Sequence, residues 1–383
     1  MKLPIYLDYA ATTPVDFRVA KKMMEYLTIN GMFGNSSSPH FYGWEAERAI
    51  EIARDNIASF LGGIDSTEIV FTSGATESNN LAIKGVAYSY SNKGKHIITS
   101  MTEHKSVLNT CYQLEKEGFF VTFLPPDKNG IISLEKLQME FRDDTVLVSL
   151  VHVNNETGVI QDIKKFGELC RSNSILFHVD ATQSVGKISI NLLDLPIDLM
   201  SFSSHKVYGP KGIGCLYIRK KSKICIQAQI HGGGQEYGIR SGTLPVHQIV
   251  GMGEAYHILQ KEMKTEILRF KALKKFFWKE LQKIADVSVN GNVRQSISTL
   301  LNVTFHNFDS ELLISKLEEI AVSPSSACTS SSLESSYILY AMGLHEHSIN
   351  STIRFSFGRF TTFEEIKFVL HKIKIAIFCL RNK

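Results

Sequence analysis

No Cys-x-x-Cys pair occurs in the 383 residues of this sequence, and its six cysteines (Cys111, Cys170, Cys215, Cys225, Cys328, Cys379) are scattered. Such spacing argues against a disulfide framework and against a structural zinc site; it fits a reduced, cytoplasmic protein. A long basic block is missing too. The formal net charge is only +4, and the richest run, 218–223 (Ile-Arg-Lys-Lys-Ser-Lys), reads as a solvated strand end, so direct nucleic-acid binding is not expected. No segment is long and apolar enough to span a bilayer, and membrane association is not expected. The opening residues, Met-Lys-Leu-Pro-Ile-Tyr-Leu-Asp, hold neither a long apolar stretch nor a cleavage site, as expected where there is no signal peptide. Repeats are absent, and the one low-complexity tract is the serine run around Cys328. What remains is 44% hydrophobic and 21% charged, the composition of a soluble globular protein long enough for one large domain and a smaller one.

Short apolar runs alternate with helical patterns through the first two thirds. Strands are expected at 68–73, 95–100, 119–124, 145–153, 175–180, 198–203 and 214–219, with helices at 76–90 and about 104–117. The strand runs are almost continuously apolar, as in parallel strands covered on both faces. The alternation predicts an α/β fold with a mainly parallel sheet. Near Glu262 the texture changes. Residues 262–279 have apolar positions at helical spacing, and shorter signals follow, a strand at 300–305 and a helix at 310–319. The expected division is a large domain at 15–262 and a smaller α+β domain made of 1–14 and 263–383.

In an open parallel sheet, ligands bind beyond the carboxyl ends of the strands. Ser-Gly-Ala-Thr-Glu-Ser at 73–78 follows the first strand and opens a helix, whose free N–H groups suit an anion; a simple N-cap box of Thr76 and Glu77 explains it equally well. Asp180 and Gln183 follow another strand, where Asp180 is either a helix cap or a carboxylate holding a ring nitrogen protonated. Ser203, His205 and Lys206 end a third. A lysine closing an apolar strand is either a snorkelling side chain or a desolvated amine able to form a covalent imine, whereas Lys211 beyond the Gly-Pro turn suits solvent. His104 and Asn155 stand at two more strand ends, where a structural histidine and a turn asparagine are the plain alternatives. Individually these signals are weak. Together, an imine-forming lysine, a carboxylate for a pyridine nitrogen, a flat imidazole and a hydroxyl-rich helix start make the site of a pyridoxal 5'-phosphate enzyme.

The motifs Gly-Ala-Thr-Glu-Ser (74–78), Glu-His-Lys (103–105), His-Val-Asp-Ala-Thr-Gln (178–183), His-Lys (205–206), Arg-Ser-Gly-Thr (240–243) and Ser-Ala-Cys (326–328) are jointly specific. From Tyr-Leu-Asp-Tyr-Ala-Ala-Thr-Thr-Pro at 6–14 to Arg-Phe-Ser-Phe-Gly-Arg at 354–359, the chain resembles the cysteine desulfurases of the IscS/NifS type, closest to the bacterial housekeeping branch. These are class-V aminotransferase-like enzymes of fold type I. The resemblance implies that Lys206 carries pyridoxal phosphate, His104 stacks on its ring, Asp180 pairs with the ring nitrogen, and Asn155 and Gln183 contact the ring-hydroxyl side. It implies that Ala75, Thr76, Ser203 and His205 hold the phosphate with Thr243 from the other subunit of a homodimer. Arg354, otherwise a surface salt-bridge residue, would clamp the carboxylate of L-cysteine, with Asn155 beside it.

The same resemblance gives Cys328 a task. Its setting, Ser-Pro-Ser-Ser-Ala-Cys-Thr-Ser-Ser-Ser at 323–332, lacks the apolar neighbours of a packed thiol. It would accept the substrate's sulfur as a persulfide, with L-alanine as product, and a polar loop suits a carrier that travels. His104 and Arg354 are candidates to favour its thiolate. The sulfur would go to iron–sulfur cluster assembly, through a scaffold protein, and to acceptor proteins of tRNA thiolation. No resident metal is expected, apart from a [2Fe-2S] cluster that the Cys328 persulfide would transiently ligate with the scaffold. A selenocysteine lyase or other pyridoxal phosphate β-lyase that does not use Cys328 as carrier is the alternative. The sequence departs from the family at Pro324 and Ser325, which stiffen the loop before Cys328, at Ser204 and at Ser36. It also ends about twenty residues before the usual bacterial form, where the family's tail helps dock the scaffold, so catalysis is a firmer expectation than scaffold docking, which the shorter end either weakens or leaves as it was.

Overall fold

The structure is a computed structural model that describes residues 3–324 and 336–382, with backbone only for 327–329 and 332–334. The seven strands β1 (Ile69–Thr72), β2 (His96–Ser100), β3 (Phe120–Leu124), β4 (Thr145–Val151), β5 (Leu176–Asp180), β6 (Leu199–Ser203) and β7 (Gly214–Ile218) form one mixed sheet in the order β1-β7-β6-β5-β4-β2-β3. All neighbours are parallel except β7, which runs antiparallel to both β6 and β1. The cause is chain length: only residues 204–213 join β6 to β7, too few for a crossover helix. Registers that pair Val151 with Asp180 and Asp180 with Ser201 bring the carboxyl ends of β4, β5 and β6 level, so the residues that follow them face one place.

Helices cover both faces of the sheet. One face carries a core that includes Phe71, Phe177, Phe202 and Tyr256, and the other a core of Val70, Ile97, Leu147 and Leu216. Among these helices, α1 (Ala75–Ser89) and α2 (Lys105–Lys116) start beside the carboxyl ends of β1 and β2. A third, α3 (Val246–Ile284), is a single 39-residue helix and begins well before the expected 262. Its first half is buried at Val246, Ile249, Val250, Met252, Ala255, Tyr256, Ile258 and Leu259, which hides any amphipathic stripe. Beyond Glu262 it packs Phe270, Leu273 and Phe277 into a second core with Phe305, Phe355 and Phe357. We propose that the two domains join along this helix.

The second unit centres on an antiparallel sheet in the order Ser323–Pro324, Thr352–Ser356, Leu300–Phe305, Val287–Val289. The N-terminal strand Ile5–Tyr6 pairs in parallel with Ile320–Ala321, so the first residues pack with the last third of the chain. The helix expected at 310–319 is shorter, Ser310–Ser315, and turns at Lys316 into the strand. Ala327–Thr329 and Ser332–Glu334 pair as a hairpin, with Cys328 opposite Leu333. The Cys328 side chain and Ser325 lie outside the described residues, so the expectations placed on them are carried forward untouched.

Candidate active site

A cavity of ≈ 630 Å³ opens at the carboxyl ends of the sheet, where Ala75, Thr76, His104, Asn155, Asp180, Gln183, Ser203, His205, Lys206 and Arg354 all line its wall. These residues stand on helix starts, strands and loops between 75 and 354, and the registers described above bring those at the ends of β4, β5 and β6 together. Thr243 does not line it. It sits in an adjoining hollow of ≈ 220 Å³ with Arg240, and that hollow shares Ser73 and Gly212 with the main cavity.

The end of the cavity beside Thr76 follows from how α1 begins. Gly74 is its N-cap, with no side-chain cap bond, so the first N–H groups of the helix are unclaimed by any cap. The capping box of Thr76 and Glu77 does not form. Glu77 instead accepts from the Ser73 N–H (2.7 Å) and pairs with Arg240 (2.8 Å), which leaves the helix start open to an anion. Glycine is needed at 74 because its φ is +155°, and Gly214 needs to lack a side chain because a Cβ there would lie 2.6 Å from the Gly74 Cα. The Ser203 hydroxyl has only a long 3.4 Å bond, to the Ile213 carbonyl. Burial, with Lys206 next, lowers His205 to about 4, so its ring is neutral, and Nδ1 lies 3.1 Å from the Thr12 hydroxyl.

The wall around Asp180 and His104 is tied together by two residues that sequence reading passed over, Asn79 and Ser106. Asp180 Oδ1 accepts from the Thr182 N–H (2.9 Å), a turn cap rather than a helix cap, and Oδ2 accepts from Asn79 Nδ2 (2.9 Å). Asn79 Nδ2 also donates to Ser106 Oγ (2.9 Å), which lies 2.8 Å from His104 Nδ1. His104 is at once structural and in the cavity: it is the N-cap of α2, and its Nδ1 accepts the Ser106 N–H (3.1 Å). Burial lowers its pKa, with Asp180 opposing, so the ring is neutral and carries its proton on Nε2. A buried Asn and Ser on helices look like ordinary packing in a sequence; only their 27-residue separation across two helix starts reveals the link.

Lys206 does not snorkel. Its Nζ donates to the carbonyls of Ala10 (2.7 Å) and Ala11 (2.6 Å), and burial first, then Arg354, lowers it to about 8. Lys211 also lines the mouth but is exposed, as its position suggested. Arg354 is an ion-pair residue, yet not on the surface: Nη2 meets Asp8 Oδ1 (2.9 Å), Nη1 donates to the Asn155 carbonyl (3.0 Å), and Nε is buried without a partner among the described residues. Its neighbour Asn154 makes the turn there, accepting from the N–H groups of Glu156 and Thr157, so Asn155 is free of that task. Asp8 had no signal beyond its place in the N-terminal motif.

A phosphorylated pyridine aldehyde fits this chemistry. The site offers a near-neutral amine, an anchored carboxylate, an imidazole, an uncapped helix start and an orphaned Thr182 hydroxyl. Among the described residues no group of three or more His, Cys, Asp or Glu could hold a metal ion, and no helix is long and apolar enough to cross a membrane. The other described cysteines are placed elsewhere: Cys111, Cys170 and Cys215 are buried in cores, where burial raises their thiols, and Cys225 and Cys379 are exposed.

The chain matches the family model "Aminotransferase class-V" over residues 5–369. It is 59% identical to the cysteine desulfurase IscS of Salmonella paratyphi B over 383 residues, 100% of this chain and 95% of that protein. Among solved structures it is similar to a NifS-like protein (36% identity, TM-score 0.91, 98% and 99% of the two chains). It is also similar to the structure "SspA in complex with cysteine" (40% identity, TM-score 0.84, 94% and 100%). Fold, site and comparisons agree, and the chain belongs to the class-V aminotransferases, within them to the cysteine desulfurases of the IscS/NifS type.

Proposed function

We propose that the protein is a pyridoxal phosphate-dependent cysteine desulfurase that moves the sulfur of L-cysteine onto Cys328 and releases L-alanine. The observation that carries this is the Lys206 amine, lowered to about 8 inside a cavity it shares with His104, Asp180 and Arg354. Relatives named as cysteine desulfurases support the substrate. Bound pyridoxal phosphate supplies an electron sink for bond breaking at the amino acid's Cα and Cβ. Lys206 would hold that group and would take the Cα proton on Nζ. Arg354, which lines the cavity, would receive the substrate carboxylate on its forked guanidinium. Asp180, fixed by Asn79 and the Thr182 N–H, would be the carboxylate that pairs with the ring nitrogen. In the net reaction the substrate C–S bond breaks, an S–S bond forms on Cys328, and the Cys328 thiol hydrogen is balanced by the hydrogen gained at Cβ.

The persulfide would serve iron–sulfur cluster assembly through a scaffold protein, and tRNA thiolation through acceptor proteins, in the cytoplasm. A homodimer is supported by Thr243 lying outside the cavity of its own chain and by exposed aromatics at Phe33, Phe41, Tyr42 and Trp44. The test is the intact mass of cofactor-loaded protein after brief exposure to L-cysteine, with peptide mapping. One added sulfur on Cys328, absent in Lys206→Ala, is expected. Alanine formed without sulfur on Cys328, and retained in Cys328→Ala, would make the protein a β-lyase or selenocysteine lyase instead.

A further inference from the structure

Lys187 has no part in the reaction just derived, yet its amine lies in the interior just behind the cavity. Its Nζ donates to Gln183 Oε1. Gln183 Nε2 donates to the Ala10 carbonyl (2.8 Å), the same oxygen that accepts from Lys206 Nζ (2.7 Å). Gln183 lines the main cavity and also a second cavity of ≈ 20 Å³, room for about one water, which lies behind it beside Lys187, Lys206, Tyr9, Tyr208 and Glu266. Glu266 is committed to Arg359 (2.6 Å), and Gln183 is the acceptor Lys187 uses.

A primary amide has two ends that differ little in shape and are opposite in hydrogen bonding. Which end faces a ligand is decided by what holds the other. We infer that Lys187 is a positioning residue that locks the Gln183 amide, keeping its NH₂ rather than its C=O turned to the active-site cavity. Gln183 then meets a ring oxygen of the cofactor as a donor and never as a second acceptor. Lysine suits the task because an amine has only hydrogens to offer when protonated. When neutral it still prefers to donate to an amide oxygen. Burial, with Lys206 and Arg354 adding to it, drives the Lys187 amine well below the ordinary lysine range.

This inference rests on the pyridoxal phosphate reading, and one titration separates the two. The visible band of the bound cofactor is followed against pH in the holoenzyme, in Lys187→Met, in Gln183→Leu and in the double variant. A donor on the ring oxygen stabilises its negative charge and so loosens the proton on the adjoining lysine nitrogen. Losing the lock therefore raises the pH midpoint of the band, by roughly one unit. The rise is expected in Lys187→Met and is expected to vanish when the same change is made in Gln183→Leu. No shift, or an equal shift in both backgrounds, would overturn the inference and leave the cofactor reading intact. Failure of the unsubstituted protein to develop a visible band with pyridoxal phosphate would overturn the cofactor reading itself. If Lys187→Met does not fold, Lys187→Leu, smaller and equally without a donor, takes its place with the same expectations. Failure of both to fold would count against the lock, because Lys187 would then be required by the core and not by the amide.

Discussion

Arg54 and Arg354 are both paired with a carboxylate away from bulk water, and the two regions around them are finished to different degrees. Arg54, 3% exposed, faces Glu236, 1% exposed, through two 2.9 Å bonds. Its Nη1 also meets the Ile69 carbonyl (2.6 Å), Glu236 takes the Phe71 N–H (2.7 Å), and the guanidinium stacks over Phe71. Arg354 and Asp8 keep 12% and 18% exposure, and Arg354 Nε has no partner among the described residues. A buried charge whose three nitrogens are all engaged, Nε to Glu51 (3.2 Å) included, holds the fold; one that lines the cavity with a nitrogen left over among the described residues is less committed to it. The saturated pair also bears on the site, since Glu236 and Tyr237 hold left-handed φ values of 48° and 58° just ahead of Arg240 and Thr243.

The largest effect is expected from Arg54→Met, which strands the Glu236 carboxylate in the interior and costs about 3–5 kcal/mol. Chemical denaturation would measure it. Adding Glu236→Gln removes the stranded charge and should return much of the loss. A single variant as stable as the unsubstituted protein would break the comparison. Arg354→Lys should do the reverse. The thermal midpoint should move little, while KM for L-cysteine rises roughly 10–100-fold, because an ammonium cannot reproduce the forked contact. An unchanged KM would mean that the leftover donor has no ligand.

The same contrast explains what could be read from the sequence. The strands were legible because apolar runs covered on both faces need no partner to be recognised, and the cavity-lining residues stood at their ends in order. Arg54 and Glu236 were not, because their bond spans 182 residues and neither has a local pattern. Asp8, Ala10 and Ala11 contribute through one carboxylate and two backbone carbonyls, and a carbonyl leaves no mark on a sequence. The start of α3 was missed because its first half is buried at most positions, which blurs the stripe. β7 reads as one more parallel strand until the shortness of the chain before it is weighed.

Electrostatics sharpen the comparison next. Lys206 must be neutral to attack an aldehyde, and it is lowered from 10.5 to about 8. The rate at which apoprotein gains the visible band with added pyridoxal phosphate should therefore fall roughly tenfold per pH unit below a midpoint near 8 and level off above it. A midpoint near 10.5 would place the amine in water and contradict its burial.

The smallest effect at neutral pH belongs to Lys274, which burial also lowers to about 8. It donates to Ser296 Oγ (3.0 Å) and the Ile297 carbonyl (2.8 Å) and lines none of the cavities described above. A depressed lysine alone is thus no sign of a reactive one; what separates Lys206 is the room in front of it. Lys274→Met should leave the cofactor titration unchanged and move stability at pH 7 by less than about 1 kcal/mol, two hydrogen bonds being exchanged for relief of a desolvated charge. The pH dependence carries the sign. Between about 8 and 10.5 the unfolded chain keeps this proton and the folded chain has lost it, so the unfolded state binds more protons and stability rises with pH. Denaturation series at pH 7, 8.5 and 10 should show that rise to be smaller in Lys274→Met than in the unsubstituted protein. Equal slopes would mean that Lys274 titrates as an ordinary solvated lysine.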